Sequence, residues 1–264
     1  MRNGMIMGAL ALVLAGGAIA APQAPKARAP KSQAESQALN TVLQAATPDA
    51  QIAAAEDFVV KFPQSDFKGL VYLGEAQSYQ QKGDYDHLIV AAEQSLESDP
   101  DDGTKVQTLL LLARSIALKT GEFDLDREEK LTKVEKYAGT ALDMLKSMPK
   151  PNPALADEQW ETYKAGLTGQ GHEALGLDQM VRKDYDKAAA EFKAATEASK
   201  DEPSFQVRLA NALDKAGKYD DALAVCDKVL AAPNLHPVIK RAAEVERANA
   251  IKLKAAAAPA AAKP

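Results

Sequence analysis

With 264 residues and a net charge of −5, the chain can form one large domain or two small ones, and it lacks the basic excess that displaces counterions from nucleic-acid phosphates. Apolar residues make up 46%, chiefly Ala and Leu, while aromatics are only 5%, which favours helices over strands. The single Cys226 excludes an intramolecular disulfide, so packing alone must hold the fold.

The chain opens as a targeting segment. Arg2 precedes the apolar, uncharged run Gly4 to Ala15, and Ala18-Ile19-Ala20 supplies small residues at a cleavage site. The expectation is a signal peptide over 1–20 and an exported protein, periplasmic or extracellular, with no membrane attachment after cleavage. The alternative is retention as an inner-membrane anchor through residues 4–21, a run long enough to span. No cysteine follows the apolar run, so a lipoprotein anchor is excluded. Residues 21–35, with three prolines among small residues, read as an extended linker, and 255–264 as a disordered Ala/Pro tail.

Between them, 36–254 reads as helix after helix. Ala38, Val42 and Leu43 share one face; Thr47-Pro48-Asp49 starts a second helix with Ile52, Ala55, Phe58 and Val59 as its stripe, stopped at Phe62-Pro63. Tyr72, Ala76 and Tyr79 lie on a third, and Lys82-Gly83-Asp84-Tyr85-Asp86 is a turn. Val106 to Leu118 is helical, with a turn at Lys119 to Phe123 where Phe123 replaces a tyrosine. From Phe123 to Tyr185 the pattern stretches. Two long helices, near 126–147 and 154–181, are separated by Pro149-Lys150-Pro151-Asn152-Pro153, and are expected to project from or bend the array.

The clearest signal lies beyond. Lys183-Asp184-Tyr185-Asp186-Lys187-Ala188-Ala189 is repeated as Gly217-Lys218-Tyr219-Asp220-Asp221-Ala222-Leu223, with Tyr185 and Tyr219, and Ala188 and Ala222, each 34 apart by subtraction. That offset is the period of the tetratricopeptide (TPR) repeat, a helix–turn–helix unit, and the turn and second helix resemble that family closely. The resemblance implies an all-α, right-handed TPR α-solenoid of about five units, clearest at 69–102, 169–202 and 203–236, with an enlarged central hairpin and a capping helix from Pro237 to about Lys254. It implies small residues at Gly176, Ala210, Ala188 and Ala222, Tyr185 and Tyr219 filling a gap near the turn, and Phe192 and Cys226 at one core position.

Catalytic and cofactor motifs fare worse. Gly169-Gln170-Gly171-His172-Glu173-Ala174 fits a dinucleotide fingerprint, but that chemistry needs a preceding strand, and Asp157 to Ala165 reads as helix. The glycines are better explained by close helix contacts or a kink. Ser65-Asp66-Phe67-Lys68 and Lys119-Thr120-Gly121 match two of three penicillin-binding elements in a chain without strands. His87, His172 and His236 are far apart, and Asp99-Pro100-Asp101-Asp102-Gly103 has its glycine one place early for a calcium loop. No cofactor, metal or catalytic set is expected.

What remains is the groove. In the TPR family the first helices line a concave surface that holds a peptide or a partner helix. The resemblance places Leu73, Gln77 and Gln80 there from the second unit, Glu173, Leu177 and Met180 from the fourth, and Val207, Asn211 and Asp214 from the fifth. The implied function is a non-catalytic protein-binding scaffold of a bacterial envelope; a membrane-anchored structural subunit and a helical enzyme are the alternatives.

Overall fold

The structure is a computed structural model that describes residues 28–151 and 154–257. The expected signal segment, residues 21–27 of the linker and most of the Ala/Pro tail lie outside the described residues. Within them the chain forms α1 (Gln33–Leu43), α2 (Pro48–Lys61), α3 (Lys68–Lys82), α4 (Tyr85–Glu97), α5 (Asp102–Lys119), α6 (Arg127–Ser147), α7 (Asp157–Arg182), α8 (Tyr185–Ala198), α9 (Pro203–Lys215), α10 (Tyr219–Leu230) and α11 (Pro237–Ala257).

The starts are written locally. Ser32, Thr47, Asp84, Asp101 and Asp184 each accept a hydrogen bond from an amide in the first turn of the helix that follows. Proline opens α2 and α9, where its missing N–H would be unpaired anyway. The turns after α3, α7 and α9 pass through left-handed backbone at Gly83, Lys183 and Gly217.

Odd-numbered helices pack on one another in succession, α1 on α3 and so on to α9 on α11, whereas no two of the even-numbered helices described touch. Each even helix packs between the odd helices before and after it. The odd helices therefore form a close inner layer and the even ones a splayed outer layer, which curves the array around its inner face. Among the described residues, five hairpins and a terminal helix result, an all-α solenoid.

Contact between layers depends on size matching. A Cβ on Gly176 would lie 2.6 Å from the Phe192 ring, so only glycine admits that phenylalanine. One repeat later the pair is Ala210 and Cys226, both buried: a smaller knob, and room for a methyl group. Burial pushes the Cys226 thiol up to about 11, as for a packed hydrophobe. Gly169 sits against Phe205 and the Ala195 carbonyl, and Gly171 against Leu142 and Leu110. All lie within the continuous helix α7, so they serve close approach, and among the described residues no strand precedes them to support a dinucleotide site.

Four expectations need correction. The stretched region is not an appendage: α6 is the outer helix of the third repeat and α7 the inner helix of the fourth, packed on α5, α6 and α8. Phe123 fills no turn pocket and is 89% exposed, because α6 begins only at Arg127. Its place is taken by fully buried Leu131, three residues before Val134 just as Tyr185 precedes Ala188 and Tyr219 precedes Ala222. Those tyrosines are themselves only half-buried. Finally, the end of the expected linker is tied down rather than free: ahead of the helix start at Gln33, Arg28 donates to the Asp66 and Asp99 carbonyls at 2.8 and 2.7 Å.

Candidate concave binding surface

The free faces of the inner helices are the surface this architecture offers. Ala76 of α3, Ala113 of α5, Gly176 of α7 and Ala210 of α9 are equivalent small residues in the four full repeats, all buried. The residue after each of them, Gln77, Arg114, Leu177 and Asn211, shares one helix face with the residue four before it, Leu73, Leu110, Glu173 and Val207. Helix residues three or four apart share a face, so each inner helix presents a short stripe.

The nine residues expected to line this surface divide into two groups. Gln77 is exposed, and Gln80, Met180, Val207 and Asn211 are partly exposed, available for contact. Leu73, Glu173, Leu177 and Asp214 are buried, so their side chains are not an open lining. Leu177 belongs to the core cluster shared with Ala188 and Phe192 of α8. Asn211 is also committed: its Nδ2 donates to Glu246 of α11 at 3.0 Å.

Asp214 is buried with both carboxylate oxygens unpaired. Burial, with the nearby Glu246 charge second, pushes its carboxyl from the ordinary 3.8 up to about 6. Two other inner-layer carboxyls are raised in the same way, Glu75 to about 7 and Asp178 to about 6, in both cases mainly by burial.

Glu173 behaves differently. It is 5% exposed, yet it is met from both sides: Arg114 of α5 donates from Nε to Oε2 at 3.1 Å, and Nε of Arg208 of α9 lies 2.5 Å from Oε1. One buried carboxylate thus joins three successive inner helices. Neither arginine belongs to the nine residues expected to line the surface. Arg114 was legible, since aligning Ala113 with Gly176 puts it level with Gln77, Leu177 and Asn211. Arg208 carried no such signal, because its counterpart one repeat earlier is Ala174.

The outer layer holds a second concavity. Between α8 and α10, over Leu209 and Leu213, lies a groove of about 750 Å³ rimmed by Lys193, Lys200 and Lys228. It is open because Ala189 and Ala190 stand where α4 carries Ile89 and Val90, both pairs following the tyrosine by four and five residues.

The histidines are occupied separately. His87 bonds Asp84 and stacks on Tyr79, His172 bonds Glu191, and His236 accepts from the Val238 amide. Among the described residues no group of three or more His, Cys, Asp and Glu could hold a metal ion, and no helix is long and apolar enough to cross a membrane.

Models of the tetratricopeptide repeat match residues 71–102 and 181–244. Similar solved structures include a thermophilic TPR protein of Thermus thermophilus, 21% identical, covering 83% of this chain and 99% of its own, with a TM-score of 0.49. Another is an assembly chaperone of RpL4, residues 1–338, 11% identical, covering 84% of this chain and 99% of its own, with a TM-score of 0.42. No curated protein matches the sequence.

Proposed function

We propose that this chain, a member of the tetratricopeptide-repeat family, is a non-catalytic scaffold that binds a protein segment along the concave face of its inner helices. The observation that carries the reading is the unbroken inner layer from α1 to α11, whose free faces are covered by no other helix among the described residues. Such a surface offers Gln77, exposed, and Gln80, partly exposed, for hydrogen bonds to an extended backbone. Met180 and Val207 offer apolar contact, and a flexible thioether adapts to different side chains. Within the same reading the protein is exported to a bacterial envelope, supported by the order Arg2, apolar run, Ala18-Ile19-Ala20 at the start of the sequence. A mature protein beginning at Ala21 supports export with cleavage; one still beginning at the initiator end makes it a membrane-anchored subunit instead.

The test is affinity capture from envelope extracts with Gln77→Ala/Met180→Ala beside wild type. A minority of interface residues carries most of the binding energy. The double variant, checked by circular dichroism to be folded, is expected to lose most of the main captured partner. Capture at wild-type strength overturns the concave site and turns attention to the groove between α8 and α10.

A further inference from the structure

The cluster at Arg114, Glu173 and Arg208 does more than structure requires. A buried carboxylate needs compensation, and one guanidinium fork supplies it with two parallel hydrogen bonds. Here two arginines from opposite sides share one carboxylate, both through Nε. The unit keeps one uncompensated positive charge. Both arginine side chains are about 30% exposed, and among the described residues their Nη groups donate to no other residue. Arg114 shares its helix face with the partly exposed Gln107 and Leu111, and Arg208 shares its face with Asn211, opposite the Gln206, Leu209 and Leu213 that line the outer groove, so both open on the concave side. Glu173 holds both guanidinium planes in place, which lowers the entropy lost when they grip a ligand.

We infer that Arg114 and Arg208, held by Glu173, form a recognition point for an acidic side chain of the bound protein segment. The inference rests on the concave-groove reading and adds the chemistry of the partner: a segment with an Asp or Glu carboxylate placed over α7. Planar forks suit a carboxylate, which accepts two parallel hydrogen bonds. Of the inner-helix acids, Asp178 is bonded to Arg182, Asp214 is buried, and Glu246 accepts from Asn211. Partly exposed Met180 lies two turns along the same helix, so the charge sits two turns of α7 away from an apolar contact.

The probe is a fluorescein-labelled hexaglutamate peptide, with hexaglutamine as its neutral counterpart, titrated by anisotropy against the full mature chain. Wild type is expected to prefer hexaglutamate, with affinity that falls as salt rises. Arg114→Gln/Glu173→Gln/Arg208→Gln removes all three charges together and leaves no lone buried ion; it should lose at least about tenfold in affinity for hexaglutamate, as expected when charge contacts are deleted. Should that variant not fold, Arg208→Gln leaves Glu173 paired with Arg114 and should lose about threefold. Equal binding of the two peptides by wild type, or unchanged hexaglutamate binding by a folded variant, overturns the inference. Capture of the main partner by Gln77→Ala/Met180→Ala tests the groove itself, so the anion point can fail while the concave site stands.

Discussion

The fourth and fifth repeats are copies at an offset of 34; the third is not, and the two regions solve the same packing problem with different residues. In the regular region the outer helix begins at the tyrosine itself, Tyr185 or Tyr219, which stays half-buried at the helix start. In the third repeat α6 starts a turn earlier, at Arg127, and the equivalent position lies inside the helix as fully buried Leu131. A tyrosine suits the end, where its hydroxyl reaches water; an aliphatic side chain suits the interior. The extra turn is anchored to α7, since Arg182 bonds Glu128 and Arg127 donates to the Val181 carbonyl. What defines a repeat here is therefore the buried spacing three and four residues on, and not the motif at the turn.

The largest expected effect separates Leu131 from Phe123. Leu131→Ala should cost about 2–5 kcal/mol, as for a fully buried leucine, whereas Phe123→Ala should stay within about 0.5 kcal/mol, as for an exposed site. Urea denaturation of both variants checks it. The reverse order would return the turn pocket to Phe123 and undo the comparison.

Next come two glycines of α7. Gly176→Ala must drive a methyl group into the Phe192 ring, and should destabilise by about 1–3 kcal/mol, as overpacking does. A Cβ on Gly166 meets nothing within 4 Å, so Gly166→Ala should stabilise by about 0.5–1 kcal/mol through helix propensity alone. Melting temperatures moving in the same direction would show that α7 is not packed as described.

The smallest effect is pH-dependent and lies in the regular region. The folded state binds the Asp214 proton more tightly than the unfolded chain does, since its carboxyl is raised from 3.8 to about 6 by burial and then by Glu246. Its contribution is present below about pH 4 and is lost as pH rises through about 6. Asp214→Asn keeps the shape without the charge. It should melt with wild type at pH 4 and above it at pH 8, by the order of about 1 kcal/mol expected for an unpaired buried group. A gap that is the same at both pH values would mean that Asp214 has a partner or remains hydrated.

The helical fold was legible because the 34-residue offset, the capping residues and the turn prolines are local signals. Helix ends came within a few residues for the same reason. In the third repeat the helix near 126–147 was legible, but not its pairing with α5, because the turn motif Gly121-Glu122-Phe123 stands several residues ahead of the helix and Phe123 lies exposed between them. Position in the repeat picks Gln77, Gln80 and Met180, which are at least partly exposed, but burial is a tertiary property, and Leu73, Leu177 and Glu173 lie too deep in the inner layer to be an open lining. The pairing of Arg114 and Arg208 with Glu173 joins residues 59 and 35 apart by subtraction, which no local pattern reports.

The concave face is the centre of this account, and site-specific photo-crosslinking tests it most directly. A photoreactive side chain is placed in turn at Gln77 and Met180 on the inner helices and at Lys193 on the rim of the outer groove, and each protein is irradiated in envelope extract. The account predicts adducts to one common partner from Gln77 and Met180 and none to it from Lys193. Adducts from Lys193 alone would contradict it and place binding on the outer layer.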